Sequence, residues 1–328
     1  MNRLLEIVRS FADRRVVVIG DAIADQFLYG NISRVSREAP VFILRHEQTQ
    51  TVPGGAANCA MNLASLGAHV SLIAAVGNDE PGRELRAKLE AAGVDVNGVI
   101  VSDKIQTTTK VRILAGQSHS NKQQVIRIDY EGADAVDTLP RDSILTALNS
   151  ALNSADAIII SDYNYGVVDD RAIALIRESS PPAVLVDSRF HLSKFKGFTA
   201  ATPNEDEVEH LLGRSVTSKH ELELAARSLK EQLGYRALLV TRGAHGMMLL
   251  DDNADPIHIP AVGAQQSVDV TGAGDTVIAT FALGVASDAS FVDAARLANY
   301  AGGLVVMKRG TASITAGELE HSILSTEH

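Results

Sequence analysis

The sequence of 328 residues contains one cysteine, no tryptophan and only 4% aromatic residues. Because a disulfide needs two thiols, Cys59 forms none within the chain, and a Cys-rich zinc or iron–sulfur site is excluded. A reducing compartment, the cytoplasm, is the expected location. Positive charge is also scarce, since 30 Lys and Arg stand against 40 Asp and Glu. With a net charge of −10, neither nucleic acid nor an anionic membrane is an expected partner, and any phosphate must be held by local cations.

Long hydrophobic runs are missing as well. Six charged residues among the first fifteen interrupt any export signal. The longest apolar run, Val277–Ala286, is too short for a bilayer, which needs roughly 20 residues, and predicts a buried helix. The sequence also lacks the motifs G-x-x-x-x-G-K-[ST], G-x-G-x-x-G after a strand, H-E-x-x-H and G-x-S-x-G. Its ten histidines show no metal-ligand spacing, so a catalytic transition metal is not expected.

Short apolar runs alternate with longer helical patterns along the chain. Pro81–Ala92 and Glu221–Leu233 are typical of amphipathic helices. This alternation predicts an α/β fold with a doubly wound, mostly parallel sheet that is covered by helices on both faces. Ligands of such sheets bind at the carboxyl ends of the strands. The predicted buried strands are Val16–Ile19, Val70–Val76, Ala157–Ile160, Ala183–Val186 and Ala237–Val240.

Two segments, residues 26–52 and 107–131, interrupt this alternation. Within the second, Thr107–Leu114 and Gln124–Tyr130 flank a polar stretch and predict a hairpin. Together with Val41–Arg45 they predict a small separate β-sheet, either an edge extension or a lid. A small sheet with one apolar face is marginally stable alone, so we expect a homodimer that forms through it.

The strongest chemical signal is the segment Asp269–Asp275, with the sequence DVTGAGD, directly before the apolar helix. Gly272 and Gly274 lack a Cβ, so backbone N–H groups can approach an anion at the helix start. A carboxylate at this position, Asp275, can take a proton from a hydroxyl group that attacks a phosphoryl group. The structural alternative is a plain loop followed by a first-turn helix residue.

Four further polar residues have a functional and a structural interpretation. Asn58 follows Gly54 and Gly55 at the start of an apolar helix, and Asp21 follows the first strand; both could bind hydroxyl groups, or could serve as a cap and a turn residue. Asn204 and Glu207 share one face of a helical turn. They could orient water around a hard cation such as Mg²⁺, although spacing alone favours an N-cap with acidic first-turn residues.

Together, GGAAN at 54–58, NxxE at 204–207 and DxTGAGD at 269–275 resemble the PfkB, or ribokinase-like, family of carbohydrate kinases. The resemblance covers nearly the whole chain and implies a single kinase domain, 1–328, with a β lid. The runs ISRVSREAPVFIL, PGGAANCAMNLASLGA, QQVIRIDYEG, SDYNYG and TPNEDEVE are most similar to the branch that phosphorylates D-glycero-β-D-manno-heptose 7-phosphate, in the synthesis of ADP-heptose for lipopolysaccharide.

This resemblance implies a role for each matching residue. Asp275 would be the base, and Gly272, Ala273 and Gly274 would stabilise charge on the transferred phosphoryl group. Asn204 and Glu207 would organise Mg²⁺ and ATP, the metal being bound through water. The other implied nucleotide-binding residues are Thr241, Arg242, Gly243, Asn299 and Gly310. The implied acceptor-binding residues are Asp21, Gly54, Gly55 and Asn58, with Lys110, Arg112 and Arg127 for the acceptor's phosphate. These three cations also have a structural interpretation, because edge strands often carry Lys and Arg, which discourage pairing with the strands of other chains.

The sequence departs from the heptose-kinase pattern at two places. Arg37 stands in the position usually held by Pro, and Asp187-Ser-Arg189 stands in place of Asp-Pro-Lys. Arg189 keeps the positive charge but has a planar guanidinium, so it is a further candidate phosphate ligand. Relatives of this branch often carry a nucleotidyltransferase domain marked by H-x-G-H, and no such motif occurs here. We therefore expect phosphorylation without formation of the nucleotide sugar.

The expected reaction is the transfer of the γ-phosphoryl group of ATP to O1 of the heptose 7-phosphate. Three alternatives stay open. The acceptor could be ribose, fructose, a nucleoside or a ketodeoxy sugar acid; the protein could be a regulator that binds sugar or nucleotide without turnover; or it could be a nicotinamide-dependent oxidoreductase, which the missing dinucleotide fingerprint disfavours.

Overall fold

The computed structural model describes residues 2–117, 122–131, 135–252, 255–263 and 267–326. Its strands, in chain order, are β1 (Arg15–Gly20), β2 (Ala22–Val35), β3 (Phe42–Gly55), β4 (His69–Gly77), β5 (Val99–Ser102), β6 (Thr109–Gly116), β7 (Gln123–Tyr130), β8 (Ala157–Asp162), β9 (Val184–Ser188), β10 (Ala200–Ala201), β11 (Ala237–Thr241), β12 (Met247–Leu250) and β13 (Ile257–Ile259). Its α-helices are α1 (Asn2–Arg9), α2 (Ala56–Ser65), α3 (Glu80–Ala91), α4 (Ala135–Thr138), α5 (Arg141–Leu152), α6 (Asp170–Ser179), α7 (Glu205–Leu212), α8 (Lys219–Leu233), α9 (Ala273–Ala286), α10 (Phe291–Val305) and α11 (Ala316–Thr326).

A large twisted sheet forms the centre of the molecule. Among the described residues, nine strands compose it, in the order β13-β12-β11-β10-β9-β8-β1-β4-β5. Neighbouring strands from β5 across to β11 are parallel, and β12 and β13 extend the sheet antiparallel. All five predicted strands and both predicted amphipathic helices are present, with ends that differ by at most two residues. The predicted α/β fold is confirmed.

Both faces of this sheet are buried, because its strands consist of continuous apolar runs. Val16 and Val18 of β1 pack into one hydrophobic layer, and Val17 and Ile19 pack into the other. The first layer includes residues of α1, α2, α9, α10 and α11, and the second includes residues of α5, α6 and α8. The apolar run Val277–Ala286 lies within α9, as predicted, and is buried along most of its length.

A second, smaller sheet stands apart from the large one. In the described part of the chain it has the order β3-β2-β6-β7, in which β2 pairs antiparallel with β3 and parallel with β6. The predicted hairpin is present, since β6 and β7 pair antiparallel, but residues 118–121 of its connection lie outside the described residues. The strands β2 and β3 have 14 residues each and are much longer than the predicted Val41–Arg45.

No helix among the described residues combines the length and apolarity that a bilayer crossing needs.

Candidate active site

Three neighbouring parallel strands end on the same edge of the large sheet and deliver polar residues to it. Asp21 follows β1, Tyr163 follows β8 and Arg189 follows β9. The start of α9 faces this edge and carries Asp275 in its first turn. The carboxyl ends of the strands thus meet a helix N-terminus, as the doubly wound fold predicts for a ligand site.

Asp275 is a buried carboxylate with two donors. Asn58 Nδ2 donates to its Oδ2 at 2.7 Å, and the Tyr163 hydroxyl donates to its Oδ1 at 3.0 Å. Burial raises the pKa of Asp275 to about 7, and the two hydrogen bonds oppose this rise because they stabilise the ionised form. A carboxyl group with a pKa near neutrality is suited to accept a proton from a hydroxyl group at physiological pH.

The backbone at the start of α9 presents unpaired N–H groups. Gly272 caps the helix with φ +76°, and a Cβ at this residue would lie 2.5 Å from Asn58 Nδ2. Within the described residues, the amides of Gly274 and Asp275 donate to no protein acceptor. The amide of Ala273 donates to the Val270 carbonyl oxygen at 3.2 Å. Of the predicted anion-binding residues, Ala273 is therefore already engaged within the fold.

A cavity of about 210 Å³ opens above Asp275, and we call it the Asp275 cavity. Four of its lining side chains carry positive charge, which is notable in a protein of net charge −10. Its lining residues are Ile23, Asp25, Gly55, Lys110, Arg112, Arg127, Tyr163, Arg189, Thr271, Gly272, Gly274, Asp275 and Thr311. All three cations that the sequence predicted for the acceptor's phosphate line this cavity, together with Arg189.

These cations differ in how they are held. Arg112 forms an ion pair with Asp25, and Arg127 forms a two-pronged ion pair with Asp129 at 2.6 and 2.7 Å. Lys110 is buried without an ion-pair partner among the described residues, and its ammonium lies 5.9 and 5.5 Å from the ring centres of Tyr163 and the following tyrosine, Tyr165. Burial and the neighbouring Arg127 lower the pKa of Lys110. An anion in the cavity would relieve this repulsion between cations.

Two predicted acceptor-binding residues have other partners. Both carboxylate oxygens of Asp21 accept backbone N–H groups, from Tyr163 at 2.8 Å, Tyr165 at 3.0 Å and Val167 at 3.1 Å. Asn58 does not line the cavity, and its carboxamide donates to Asp275. This geometry differs from the expectation of direct sugar contacts for both residues.

Asp25 occupies the position that we had expected for Asp21. It is buried on β2, lines the Asp275 cavity and pairs with Arg112. Gly54 lies against it, since a Cβ there would come within 2.5 Å of Asp25 Oδ2, whereas Gly55 lines the cavity directly. Asp25 and Ile23 are two residues apart on β2, so their side chains lie on the same face of the small sheet. This spacing was the sequence signal for Asp25.

A second cavity of about 210 Å³ lies on the other side of the α9 start, and we call it the Asn299 cavity. Three of the five predicted nucleotide-binding residues, Thr241, Gly243 and Asn299, line it beside apolar side chains such as Val262 and Val277. Gly274 lines both this cavity and the Asp275 cavity. A group that passes from one cavity to the other would therefore pass Gly274.

The remaining two predicted nucleotide-binding residues lie elsewhere. The Arg242 guanidinium donates to Glu205 at 2.7 Å and does not line the Asn299 cavity. Gly310 lines a larger cavity of about 590 Å³ beneath the small sheet, where its amide donates to Asp269 at 2.9 Å. Neither Arg242 nor Gly310 lines the Asn299 cavity.

Asn204 and Glu207 form a reciprocal cap at the start of α7. Asn204 Oδ1 accepts the Glu207 N–H at 2.8 Å, and Glu207 Oε2 accepts the Asn204 N–H at 2.9 Å. Burial raises the pKa of Glu207, and burial together with the Glu207 charge raises the pKa of Asp187. The Asp187 carboxylate has no hydrogen-bond donor in the described part of the chain. Two carboxylates that repel each other in this way fit a hard divalent cation.

Known proteins that are similar to this chain identify its family. The model of the pfkB family carbohydrate kinases matches residues 13–316. The "Bifunctional protein HldE" of Photobacterium profundum is 40% identical over 315 residues, and that of Caulobacter vibrioides is 40% identical over 326 residues. These alignments cover 95% and 97% of this chain but 64% and 65% of the relatives, so the chain spans just under two thirds of their length.

Solved structures share the fold at low sequence identity. A ribokinase of Arabidopsis thaliana, complexed with ribose and ATP, has a TM-score of 0.76 at 22% identity, and the alignment covers 94% of this chain and 98% of that one. Phosphofructokinase-2 of Escherichia coli, in complex with potassium, has a TM-score of 0.77 at 18% identity, covering 96% and 99%. The chain belongs to the pfkB family of carbohydrate kinases and is a sugar-kinase phosphotransferase with a ribokinase-like fold.

Proposed function

We propose that this kinase transfers the γ-phosphoryl group of ATP to a hydroxyl group of a phosphorylated sugar, O1 of D-glycero-β-D-manno-heptose 7-phosphate. The observation that carries the proposal is the position of Gly274 between two cavities, one with apolar walls and one with cationic walls. The apolar Asn299 cavity suits an adenosine moiety, and the cationic Asp275 cavity suits an acceptor with its own phosphate.

The proposed reaction is a direct displacement at phosphorus. The acceptor O–H bond breaks and its proton passes to Asp275. The acceptor oxygen forms a bond with the γ-phosphorus, while the bond from phosphorus to the bridging oxygen breaks and its electron pair leaves with ADP. The free amides of Gly274 and Asp275 donate to the phosphoryl oxygens. Catalysis of this kind consists of positioning and charge stabilisation.

The residues that would hold Mg²⁺ are Asn204, Glu207 and Asp187. Among the described residues, no group of three metal-ligating side chains could hold an ion by itself. Water and the ATP phosphates would therefore supply most of the ligands. When bound, the cation would neutralise charge on the triphosphate.

The preference for a phosphorylated acceptor rests on charge. A small cavity in this acidic protein is lined by four cations, Lys110, Arg112, Arg127 and Arg189. Asp25 lines the same cavity and can accept hydrogen bonds from the hydroxyl groups of the sugar. The relatives that align over nearly all of this chain bear the name HldE, which supports a heptose-related acceptor. We place the reaction in the cytoplasm, where ATP is available.

An ADP-release assay over a panel of acceptors tests this function. The heptose 7-phosphate should give the highest kcat/KM, and ribose, fructose and nucleosides should be poor acceptors. Lys110→Met should raise the KM for the heptose 7-phosphate by about tenfold or more and leave the KM for ATP unchanged. The matched control is Arg45→Met, which removes an exposed cation from β3 of the same sheet. A preference for an unphosphorylated sugar would reject the heptose assignment and retain the kinase.

We further propose that the small sheet is a lid over the Asp275 cavity and that its outer face joins two copies of the chain. The register places Arg112 opposite Arg127, facing the cavity, so Ile113, Ile126 and Ile128 point the other way. The side chains of Ile126 and Ile128 are 53% and 39% exposed. An apolar sheet face of this kind needs a partner, and a second copy presents the same face.

A further inference from the structure

Tyr163 donates a hydrogen bond to Asp275, the proposed catalytic base, but the proposed reaction assigns no role to Tyr163. Its hydroxyl donates to Asp275 Oδ1 at 3.0 Å, opposite the Asn58 donor on Oδ2. Burial and the neighbouring Asp275 charge raise the pKa of the Tyr163 phenol well above its usual value. The phenol therefore keeps its proton and remains a donor throughout the working pH range.

The loop that carries Tyr163 is anchored on Asp21. The backbone N–H groups of alternate residues, Tyr163, Tyr165 and Val167, converge on the Asp21 carboxylate. Such a convergence of amides is a nest for a negative charge. The loop contains Asn164 at φ +67°, in the left-handed region that asparagine adopts more readily than most residues other than glycine. The amides of the residues on both sides of Asn164 donate to Asp21.

We propose that Tyr163 is a positioning residue for Asp275 and that Asp21 is the anchor that holds Tyr163 in place. Asp21 then acts through the loop of residues 163–167 and does not bind the acceptor. This inference rests on the proposed function, in which Asp275 is the base. With Asn58 on one oxygen and Tyr163 on the other, the plane of the Asp275 carboxylate is fixed, and its remaining lone pairs are available to an acceptor hydroxyl group in the cavity.

Loss of the Tyr163 donor should raise the pKa of Asp275, because a hydrogen bond that stabilises the carboxylate is removed. Several other titratable groups lie around this carboxylate. All of them are retained in a Tyr163→Phe variant, so the difference from wild type reports the missing hydrogen bond. These groups are Asp25 on β2, Cys59 on α2, Asp187 at the end of β9, and the cavity cations Lys110, Arg112, Arg127 and Arg189.

The first test compares Tyr163→Phe with Tyr165→Phe. The second variant is the matched control, because the Tyr165 hydroxyl donates to Glu131 and not to Asp275. In ¹³C-carboxyl NMR titrations of the unliganded protein, the Asp275 signal is the one missing from Asp275→Asn. Tyr163→Phe should raise its midpoint by about 0.5 to 1.5 pH units. Tyr165→Phe should leave it unchanged.

The same variants are then assayed for ADP release with ATP and the heptose 7-phosphate. The acid limb of kcat/KM should move to higher pH in Tyr163→Phe by the amount seen in the titration. An unchanged midpoint and limb in Tyr163→Phe would overturn the inference. Full turnover in Asp275→Asn would instead reject the proposed base, so the two failures are distinguishable.

The role of Asp21 has its own test. Asp21→Asn should lower kcat and move the acid limb as Tyr163→Phe does, with less than a threefold change in the acceptor KM. The double variant should show no larger shift than Tyr163→Phe alone, because both residues act through one loop. A rise of tenfold or more in acceptor KM with an unmoved acid limb would make Asp21 a binding residue.

A measurement on the unmodified chain covers the case in which Asp21→Asn does not fold. Burial, opposed by the three amide donors, raises the pKa of Asp21 to about 6. The ¹H–¹⁵N signals of Tyr163, Tyr165 and Val167 should therefore titrate together with a midpoint near 6, because protonation weakens all three bonds. Independent midpoints, or signals that do not respond to pH, would contradict the anchoring role.

Discussion

Asn58 and Asp275 join the starts of two helices: the carboxamide at the beginning of α2 donates to the carboxylate at the beginning of α9 at 2.7 Å. The same carboxamide closes the space beside Gly272, where a Cβ would come within 2.5 Å of Asn58 Nδ2. One side chain therefore fixes both the proposed base and the backbone turn that presents the free amides.

Gly272→Ala should disrupt this arrangement, whereas Gly274→Ala should not. At Gly272, φ is +76° and the new methyl group would displace Asn58; around Gly274 there is nothing within 4 Å of a Cβ. We expect Gly272→Ala to cost about 1 to 3 kcal/mol of unfolding free energy and to lower Tm by several degrees. Thermal unfolding of the two variants measures this. Equal Tm values for the two variants would show that the contact between residue 272 and Asn58 does not contribute to the stability of the protein.

The contribution of Asp275 and Asp21 to the stability of the protein should fall between about pH 4 and pH 7. Burial raises the pKa of Asp275 to about 7 and that of Asp21 to about 6, from ordinary values of 3.8. In this range the native state binds more protons than the unfolded state, so the free energy of unfolding decreases as the pH rises.

Asp275→Asn should remove the largest part of this dependence. Relative to wild type, the variant should gain about 2 to 4 kcal/mol between pH 4 and pH 8. Urea unfolding at the two pH values measures the difference. A stability difference that is the same at both would contradict the raised pKa.

Ile126→Lys should convert a dimer into monomers if the outer face of the small sheet joins two copies. A lysine there would place a charge on each side of the two-fold contact, and like charges would face one another. Leu224→Lys is the matched control, because Leu224 is also 53% exposed but lies on α8, away from the small sheet. Sedimentation velocity at micromolar concentration gives the mass. A monomeric wild type would reject the dimer.

Several parts of the fold were predictable from local sequence patterns. Continuous apolar runs such as Ala157–Ile160 identify buried parallel strands, because both faces of the sheet are covered. The start of α9 was also predictable, since two glycines and a carboxylate precede an apolar helix. The length of β2 was not, because its sequence combines Gly30 with polar residues and its pairing partners on β6 are distant in sequence.

The choice between Asp21 and Asp25 shows why the site was only partly predictable. Asp21 directly follows a strand, which made it the obvious candidate, but its carboxylate is occupied by the backbone of a loop that follows β8. The place of Asp25 in the cavity depends on its cross-strand neighbours Lys110 and Arg112. Tyr163 reaches Asp275 only through tertiary folding. Contacts of this kind are set by strand register and loop geometry, which residue spacing does not record.

The most direct test of the proposed catalytic role is the turnover of Asp275→Asn with ATP and the heptose 7-phosphate. An amide of the same shape cannot accept the proton of the acceptor hydroxyl group, so kcat should fall by about 10² to 10⁴ while the Kd for ATP, measured by calorimetry, changes little. Turnover close to that of the wild type, with ATP binding intact, would contradict the assignment of Asp275 as the base.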